Sequence, residues 1–330
     1  MLRRVLSIVA VFSLVAYVGV WLASMVLEEK KNADPPAEPL VLEAEPSVPA
    51  PVLAEPESSS QESEPFDGAQ EYGFEMTPLT VRQGGYAVLT ARGVSADQIA
   101  VSSPFGAVPA WADAGDHLAA LVPVKFTFDP GEYILTVSGG GYSEEFLLTV
   151  TDGEFPTQEL TVDESVTSAT IDNDAANAEY FQKAQPVKTI ARSEVLWDGP
   201  FVWPAEGEIT TEFGAKRTVN GETSDQHGGM DIACGRGTPV KAANSGEVIF
   251  AELLQLTGNT VCIEHGMGLK TWYYHMDSLE TAAGASVKKG DVIGTVGSTG
   301  FSTGPHLHFA AAVNTVYINP RLLLGEEPKL

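Results

Sequence analysis

The chain has 330 residues, of which 44% are hydrophobic and 8% aromatic, with 32 glycines and 21 prolines. Its formal net charge of −25 argues against a nucleic-acid-binding protein, because phosphate contacts need a cationic face. The length indicates more than one domain, and the abundance of glycine and proline favours a β-rich protein with many turns.

The N-terminus predicts that most of the chain is exported. Arg3 and Arg4 precede an uncharged apolar run, Val5–Leu27, that is long enough to cross a bilayer as a helix. Because the basic residues come first and Glu28 follows the run, we expect residues 1–27 to be a cytoplasmic tip and a single-pass membrane anchor, with the bulk of the chain extracytoplasmic. The alternative is a long signal peptide, which also exports the rest.

Three segments follow the predicted anchor. Residues 28–75 are rich in Pro, Glu, Ala and Ser without apolar periodicity, which predicts a disordered linker. Residues 76–152 contain short apolar runs separated by turn residues, which predicts a small Ig-like β-sandwich. If the chain has a protein partner, we expect that partner to bind through this domain. Residues 153–198 are predicted to be a connector with one short helix, Ala175–Ala184, that ends before Pro186.

Residues 199–325 form a C-terminal block of short strands and glycine turns that holds five of the six histidines. This pattern predicts an antiparallel all-β domain. The predicted fold class is therefore mainly β: an Ig-like sandwich followed by an all-β domain, preceded by one transmembrane helix.

The only two cysteines, Cys234 and Cys262, are too few for a cysteine-based zinc site, and we expect two free thiols rather than a disulfide.

Two short motifs in this block carry polar side chains at spacings that share a face. His306 and His308 are two apart in a strand-like stretch, so their imidazoles point the same way. His227 and Asp231 are four apart, and the two glycines between them favour an extended segment over a helix. If the two strands pair, His227 and Asp231 converge with one or both histidines of the second motif.

Two imidazoles and a carboxylate suit zinc, and three protein ligands with one open position are the catalytic arrangement. One histidine of the pair, together with His275, is then free to transfer protons or stabilise an oxyanion. Either motif alone is commonly explained by structural or surface histidines. Both motifs, with His275 on a Tyr-rich strand of the same block, indicate a metal site.

The same residues carry a family resemblance. The block contains HGGMD at 227–231, a T-x-Y-x-H pattern at 271–275 and the string GSTGFSTGPHLHF at 297–309. Over Phe201–Leu324 it resembles the lysostaphin-type (LytM-like) zinc metallopeptidases that cleave peptidoglycan cross-links. The upstream block resembles, more loosely, the Ig-like domain that precedes some of these peptidases.

The resemblance implies a role for each histidine and for the aspartate. His227, Asp231 and His308 would bind Zn²⁺, and His275 and His306 would be the catalytic pair. The expected function is a zinc-dependent endopeptidase that hydrolyses cross-link peptides of bacterial peptidoglycan.

Other functions stay open. One is a non-catalytic zinc-containing scaffold or activator of another cell-wall hydrolase, in division or sporulation, and another is a peptidase that acts on proteins. Among the bonds that such enzymes cut, a direct D-alanyl cross-link is favoured over a glycine bridge.

Overall fold

The computed structural model describes residues 72–106, 108 and 110–330. The predicted anchor, residues 1–27, and nearly all of the predicted linker lie outside the described residues. Within the described part of the chain, no helix is long and apolar enough to cross a membrane. Mainly β structure, expected from the sequence, is confirmed, with two α-helices among the described residues.

The first eight strands form two four-stranded sheets that share one core. They are β1 (Gly73–Thr77), β2 (Thr80–Arg82), β3 (Tyr86–Arg92), β4 (Ala100–Ser102), β5 (Ala112–Asp113), β6 (Leu118–Pro123), β7 (Gly131–Gly139) and β8 (Tyr142–Thr151). The strand orders are β1-β3-β6-β5 and β2-β8-β7-β4, and one buried apolar cluster draws on both sheets. The result is a β-sandwich, and its likeness to Ig domains stays a prediction. Because β1 begins at Gly73, ordered structure starts before the predicted linker end at Glu75.

The connector is more regular than the sequence predicts. It contains β9 (Thr157–Leu160), α1 (Glu164–Ala169) and α2 (Asp174–Lys188). Helix α2 is capped by the Asn173 side chain, which accepts hydrogen bonds from two backbone N–H groups of the first turn. It continues through Pro186, beyond the predicted end at Ala184, because the ammonium of buried Lys188 lies 5.0 Å from the Tyr180 ring and 4.8 Å from the Tyr317 ring.

Twelve strands make up the C-terminal domain. They are β10 (Glu208–Thr211), β11 (Lys216–Val219), β12 (Glu222–Thr223), β13 (Met230–Ala233), β14 (Pro239–Lys241), β15 (Gly246–Leu254), β16 (Gly258–Glu264), β17 (Leu269–Leu279), β18 (Ser286–Val287), β19 (Val292–Val296), β20 (His306–Val313) and β21 (Val316–Ile318). Ten of them form one sheet whose main order is β10-β13-β20-β17-β16-β15-β18. Strands β12-β11-β9 form a small separate sheet, in which β9 pairs parallel with β11.

The central strands alternate between core and groove. On β20, Leu307 and Phe309 belong to the main apolar core, and on β13 so do Met230 and Ile232. Side chains of intervening residues must point to the opposite face of the sheet. Burial of the apolar residues therefore directs the polar residues of both strands to one shared face.

Candidate metal centre

The pairing of β13 with β20 brings Asp231 to the histidine pair. In this antiparallel register Asp231 lies opposite His308, and Ala233 lies opposite His306. His306 and His308 both belong to β20, where residues two apart share a face, as predicted. A one-residue shift of the register would turn Asp231 towards the core, so the apolar packing also fixes the site.

His227 reaches the same place from outside the strand. Strand β13 begins at Met230, so the expected extended segment from His227 to Asp231 is a strand only in its second half. Reciprocal backbone hydrogen bonds hold the loop: His227 N donates to Ala215 O at 2.9 Å, and Gly214 N donates to His227 O at 2.7 Å. The ring is fixed by Nδ1, which donates to Glu212 O at 3.0 Å and leaves the lone pair of Nε2 directed at the site.

Three candidate ligand atoms converge, one each from His227, Asp231 and His308, and these three residues are called the ligand cluster. His227 Nε2 lies 3.0 Å from Asp231 Oδ1, His308 Nδ1 lies 2.9 Å from the same oxygen, and the two nitrogens are 2.8 Å apart. Among the described residues, these three form the one group of His, Cys, Asp or Glu side chains whose geometry could hold a metal ion. Two imidazole nitrogens and one carboxylate oxygen are a zinc donor set, so the residues fit that ion.

Gly229 permits the close approach of strand β20, which carries His308. A Cβ atom at this position would lie 2.6 Å from His308 Nε2 and 2.6 Å from the Phe309 carbonyl oxygen. Any side chain here would displace the ligand ring or the strand that carries it. The second glycine of the HGGMD motif, Gly229, is therefore required because there is no room for a side chain.

His275 and His306 stand beside the ligand cluster. Their ring centroids are 4.8 Å apart, and His306 Nε2 lies 3.9 Å from Asp231 Oδ1. His275 Nδ1 donates to Thr299 O at 2.8 Å, and His306 Nδ1 donates to Gly304 O at 2.8 Å. Because a carbonyl only accepts, each Nδ1 carries a hydrogen, so each ring in its neutral form has a lone pair on Nε2.

The backbone of His275 adopts an unusual conformation. Its φ of 61° lies in the left-handed region, which few residues other than glycine adopt. Its N–H leaves the strand ladder and donates to Thr257 O at 2.9 Å. The local irregularity in β17 directs the His275 ring into the site, whereas its neighbour Tyr274 pairs in register with His308. Strained residues of this kind cluster at functional sites.

Burial and hydrogen bonding set the charges of the site. Burial raises the pKa of Asp231, but the adjacent side chains of His227 and His308 outweigh this effect and hold that pKa well below its usual value. Burial lowers the pKa of His275 to about 3, with further lowering by the neighbouring His306. Burial also lowers the pKa of His308 to about 4. At neutral pH the site therefore holds a carboxylate and neutral imidazoles at His275 and His308.

Two residues to which the sequence assigns no role complete the surroundings of Asp231. Arg217 Nη2 lies 2.6 Å from Asp231 Oδ2, and Arg217 Nε donates to Gln158 Oε1 at 3.1 Å. Arg217 lies shortly before the HGGMD motif in the chain, but nothing in the sequence links it to Asp231. Gln158 belongs to the connector and reaches the site only because β9 pairs with β11.

The site lies where two clefts meet. A smaller cleft of about 360 Å³ and a larger one of about 630 Å³ share four lining residues: Arg217, His275, Phe301 and His308. The connector lines both clefts, with Leu160 in the smaller and Asp172 in the larger. A long substrate can therefore pass the ligand cluster on both sides.

Sequence comparison identifies the C-terminal domain. Residues 225–320 match peptidase family M23. The DD-carboxypeptidase/endopeptidase Mpg of Neisseria meningitidis serogroup B is 40% identical over 122 residues, which are 37% of this chain and 28% of the relative. The peptidoglycan DD-endopeptidase ShyC of Vibrio cholerae is 38% identical over 34% of this chain and 26% of the relative. The matches thus span about a quarter of these curated relatives.

Two solved structures extend the comparison. A peptidase M23 from Pseudomonas aeruginosa covers 74% of this chain and 95% of its own length, with 23% identity and a TM-score of 0.54, and so shares the fold. The catalytic domain of lysostaphin from Staphylococcus simulans is 33% identical over 36% of this chain and 93% of that domain, with a TM-score of 0.34. The match over residues 225–320 shows that the C-terminal domain of this chain belongs to peptidase family M23, the lysostaphin-type (LytM-like) peptidases.

Proposed function

We propose that this chain is a zinc-dependent endopeptidase that hydrolyses peptide cross-links of bacterial peptidoglycan. The observation that carries the proposal is the convergence of His227, Asp231 and His308, with the Nε2 lone pairs of two further histidines beside them. A purely structural metal site is usually closed by a fourth protein ligand. Here the cluster opens into two clefts instead.

The proposed ligands are oriented by groups around them. The Glu212 carbonyl fixes the His227 ring, and Arg217 holds the second oxygen of Asp231. Such outer contacts keep the donor atoms in place before an ion arrives. When bound, zinc would supply a Lewis acid that polarises the scissile carbonyl and lowers the pKa of water.

His275 and His306 are proposed to handle protons. Because burial keeps His275 neutral, its Nε2 can accept a proton from the attacking water. The histidine that has taken the proton then presents an N–H to the developing oxyanion or to the departing amine. Both rings stay oriented throughout, since their Nδ1 atoms are tied to the carbonyls of Thr299 and Gly304.

The substrate is inferred from the relatives. Mpg is named a DD-carboxypeptidase/endopeptidase and ShyC a peptidoglycan DD-endopeptidase. Their identity to this chain is confined to the domain that holds the site, so the cross-link peptide is the substrate we propose. The complete set of two histidines beside three ligands disfavours a non-catalytic scaffold, which would need neither His275 nor His306.

Digestion of purified, cross-linked cell wall tests the proposal. We expect the zinc-loaded full-length protein to release peptide fragments that mass spectrometry identifies as cleaved cross-links. His306→Ala should lower the rate by about 10²–10⁴-fold, because a positioned general acid or base contributes that much. His117→Ala, in the N-terminal sandwich, is the matched control. If zinc-loaded wild type releases nothing and behaves like His306→Ala, the enzyme proposal fails.

The membrane anchor and a protein partner are proposed on narrower grounds. The uncharged run Val5–Leu27 behind Arg3 and Arg4 supports a single-pass anchor with the peptidase outside the cytoplasm. Cell fractionation checks this: detergent but not alkaline carbonate should extract the protein, and removal of residues 1–27 should abolish its membrane association.

The predicted Ig-like domain is the proposed site for a protein partner, which a pull-down with full-length protein would detect.

A further inference from the structure

Arg217 holds one oxygen of Asp231 but takes no part in the proposed proton transfers. It lines both clefts, and it is the one arginine or lysine among the described residues that line either of them. The protein as a whole carries a net charge of −25, so a cation at this point is not part of a general basic surface. Its side chain is 16% exposed, which places the guanidinium within reach of a ligand.

The Arg217 guanidinium is held by two hydrogen bonds, and some of its N–H donors remain without a protein partner among these contacts. Nη2 contacts Asp231 Oδ2 and Nε contacts the neutral Gln158 side chain. A guanidinium has five N–H donors in a fixed fork, and these two contacts leave other donors for a ligand. Gln158 is itself fixed, because its Nε2 donates to Thr211 Oγ1 at 2.8 Å.

The charge balance at Asp231 leaves a cationic excess. Oδ1 of this carboxylate belongs to the ligand cluster, whereas Oδ2 faces Arg217. One carboxylate therefore serves both the proposed zinc site and the guanidinium. A divalent ion and one arginine outweigh a single carboxylate, and charges that share a partly buried site interact strongly. The site is thus built to accept an additional anionic group.

The two clefts differ in what surrounds Arg217. The larger one also contains Asp172 and Asp225, which repel an anion. The smaller one contains neutral hydrogen-bonding side chains, including Thr210, Ser302 and Thr303, and its single acidic residue is Asp231. The smaller cleft is therefore the side of Arg217 that favours an anionic group.

We propose that Arg217 is a specificity-determining residue that binds a free carboxylate next to the scissile bond. This inference rests on the proposed function and names its substrate class. The preferred cross-link is one in which D-alanine acylates an amine whose own carbon bears a carboxylate, as in a diamino dicarboxylic acid. Glycine bridges and cross-links to a lysine side chain lack a carboxylate at that position.

The test compares three synthetic substrates with full-length, zinc-loaded protein. The first is a peptide dimer with the carboxylate, the second is the same dimer with a carboxamide, and the third is a pentaglycine-bridged dimer. We expect kcat/KM for the carboxylate dimer to exceed that for the carboxamide dimer by about 10–100-fold, the usual worth of a charged hydrogen bond.

Variants assign that preference to Arg217. Arg217→Gln should bring the carboxylate-to-carboxamide ratio close to unity, whatever its overall rate. Arg236→Gln is the matched control, because this exposed arginine pairs with Asp277 and lines neither cleft, and it should keep the wild-type ratio. If Arg217→Gln does not fold or hold zinc, Arg217→Lys is measured instead; a point charge should lower the ratio without removing it.

The outcomes separate the inference from the proposed function. A wild-type protein that cuts no dimer and no cell wall overturns the proposed function itself. Equal cutting of carboxylate and carboxamide dimers, or preferred cutting of pentaglycine, leaves the peptidase proposal standing and overturns the role of Arg217. An unchanged ratio in Arg217→Gln, or in Arg217→Lys where the first variant fails, overturns it as well.

Discussion

His227 Nε2 lies 2.8 Å from His308 Nδ1, although 81 residues separate the two histidines in the chain. Because His227 donates through Nδ1 to Glu212 O, the hydrogen of this contact must sit on His308 Nδ1. That hydrogen also lies within reach of Asp231 Oδ1, at a nitrogen–oxygen distance of 2.9 Å. This hydrogen on His308 Nδ1 therefore links the three candidate ligand atoms, at the place where a metal ion would bind. Metal binding therefore requires His308 to move its hydrogen to Nε2.

The carboxylate charge of Asp231 should dominate metal affinity. Asp231→Asn keeps the size of the side chain but removes the negative charge, and it leaves the guanidinium of Arg217 without its partner. Loss of an outer contact already costs about 10–100-fold in metal affinity, so we expect the loss of this ligand to cost at least about 100-fold. Competition against a chromophoric zinc chelator measures the change.

Asp277→Asn is the control for that measurement. Asp277 also pairs with an arginine, Arg236, but lies outside the ligand cluster. Its variant should bind zinc like wild type. Equal affinity of Asp231→Asn and wild type would show that Asp231 is not a ligand.

The two glycines of the HGGMD motif should respond differently to a methyl group. Neither has φ in the left-handed region, so alanine causes no backbone strain at either position. At Gly229 the Cβ would meet His308 Nε2 at 2.6 Å, whereas at Gly228 the nearest atom is in the Tyr317 ring at 3.5 Å. We expect Gly229→Ala to lose about 1–3 kcal/mol of unfolding free energy, as overpacked sites do, and to weaken zinc binding.

Gly228→Ala provides the internal comparison, because 3.5 Å is an ordinary contact distance. Its unfolding free energy should stay within about 0.5 kcal/mol of wild type, and its zinc affinity should not change. Urea unfolding and zinc titration of both variants check the prediction. If the two alanine variants have the same stability and zinc affinity, the close approach of β20 to Gly229 does not explain why this position is a glycine.

Local patterns predicted the parts of the site that depend on strand geometry. Alternation along β20 directs His306 and His308 to one face, and the apolar residues between and after them fix which face that is. The convergence with Asp231 followed from the expectation that the two strands pair. These features depend on the two-residue period of a strand, which a sequence displays directly.

The remaining features arise from contacts between distant segments. The left-handed conformation of His275 depends on the Thr257 carbonyl, and the contact of Arg217 with Gln158 depends on the pairing of β9 with β11. Helix α2 runs past Pro186 because Lys188 packs against aromatic rings from another part of the chain. Local propensity contains no information about such partners, which is why the helix end and the surroundings of Asp231 could not be predicted.

His265 should make the domain sensitive to acid. It is fully buried, with Nδ1 bonded to Ser245 O at 2.7 Å and Nε2 to Thr271 Oγ1 at 2.8 Å, as expected of a structural histidine. Burial lowers its pKa from 6.5 to about 4. Between these pH values the unfolded chain binds the proton and the folded protein does not. Stability is therefore full above pH 6.5 and falls as the pH drops towards 4.

The His265 contribution can be isolated with a variant that cannot titrate. His265→Gln keeps a donor for Ser245 and an acceptor for Thr271. The decline of its unfolding free energy between pH 7.5 and pH 4 should be smaller than in wild type by an amount on the order of 3 kcal/mol. The comparison with wild type is needed because His275 and His308 also have lowered pKa values and add to the decline in both proteins.

Urea unfolding of metal-free wild type and His265→Gln at several pH values measures this difference. Parallel pH profiles for wild type and His265→Gln would mean that His265 binds its proton equally well in the folded and unfolded states. In that case its burial between Ser245 and Thr271 would not be a source of acid sensitivity.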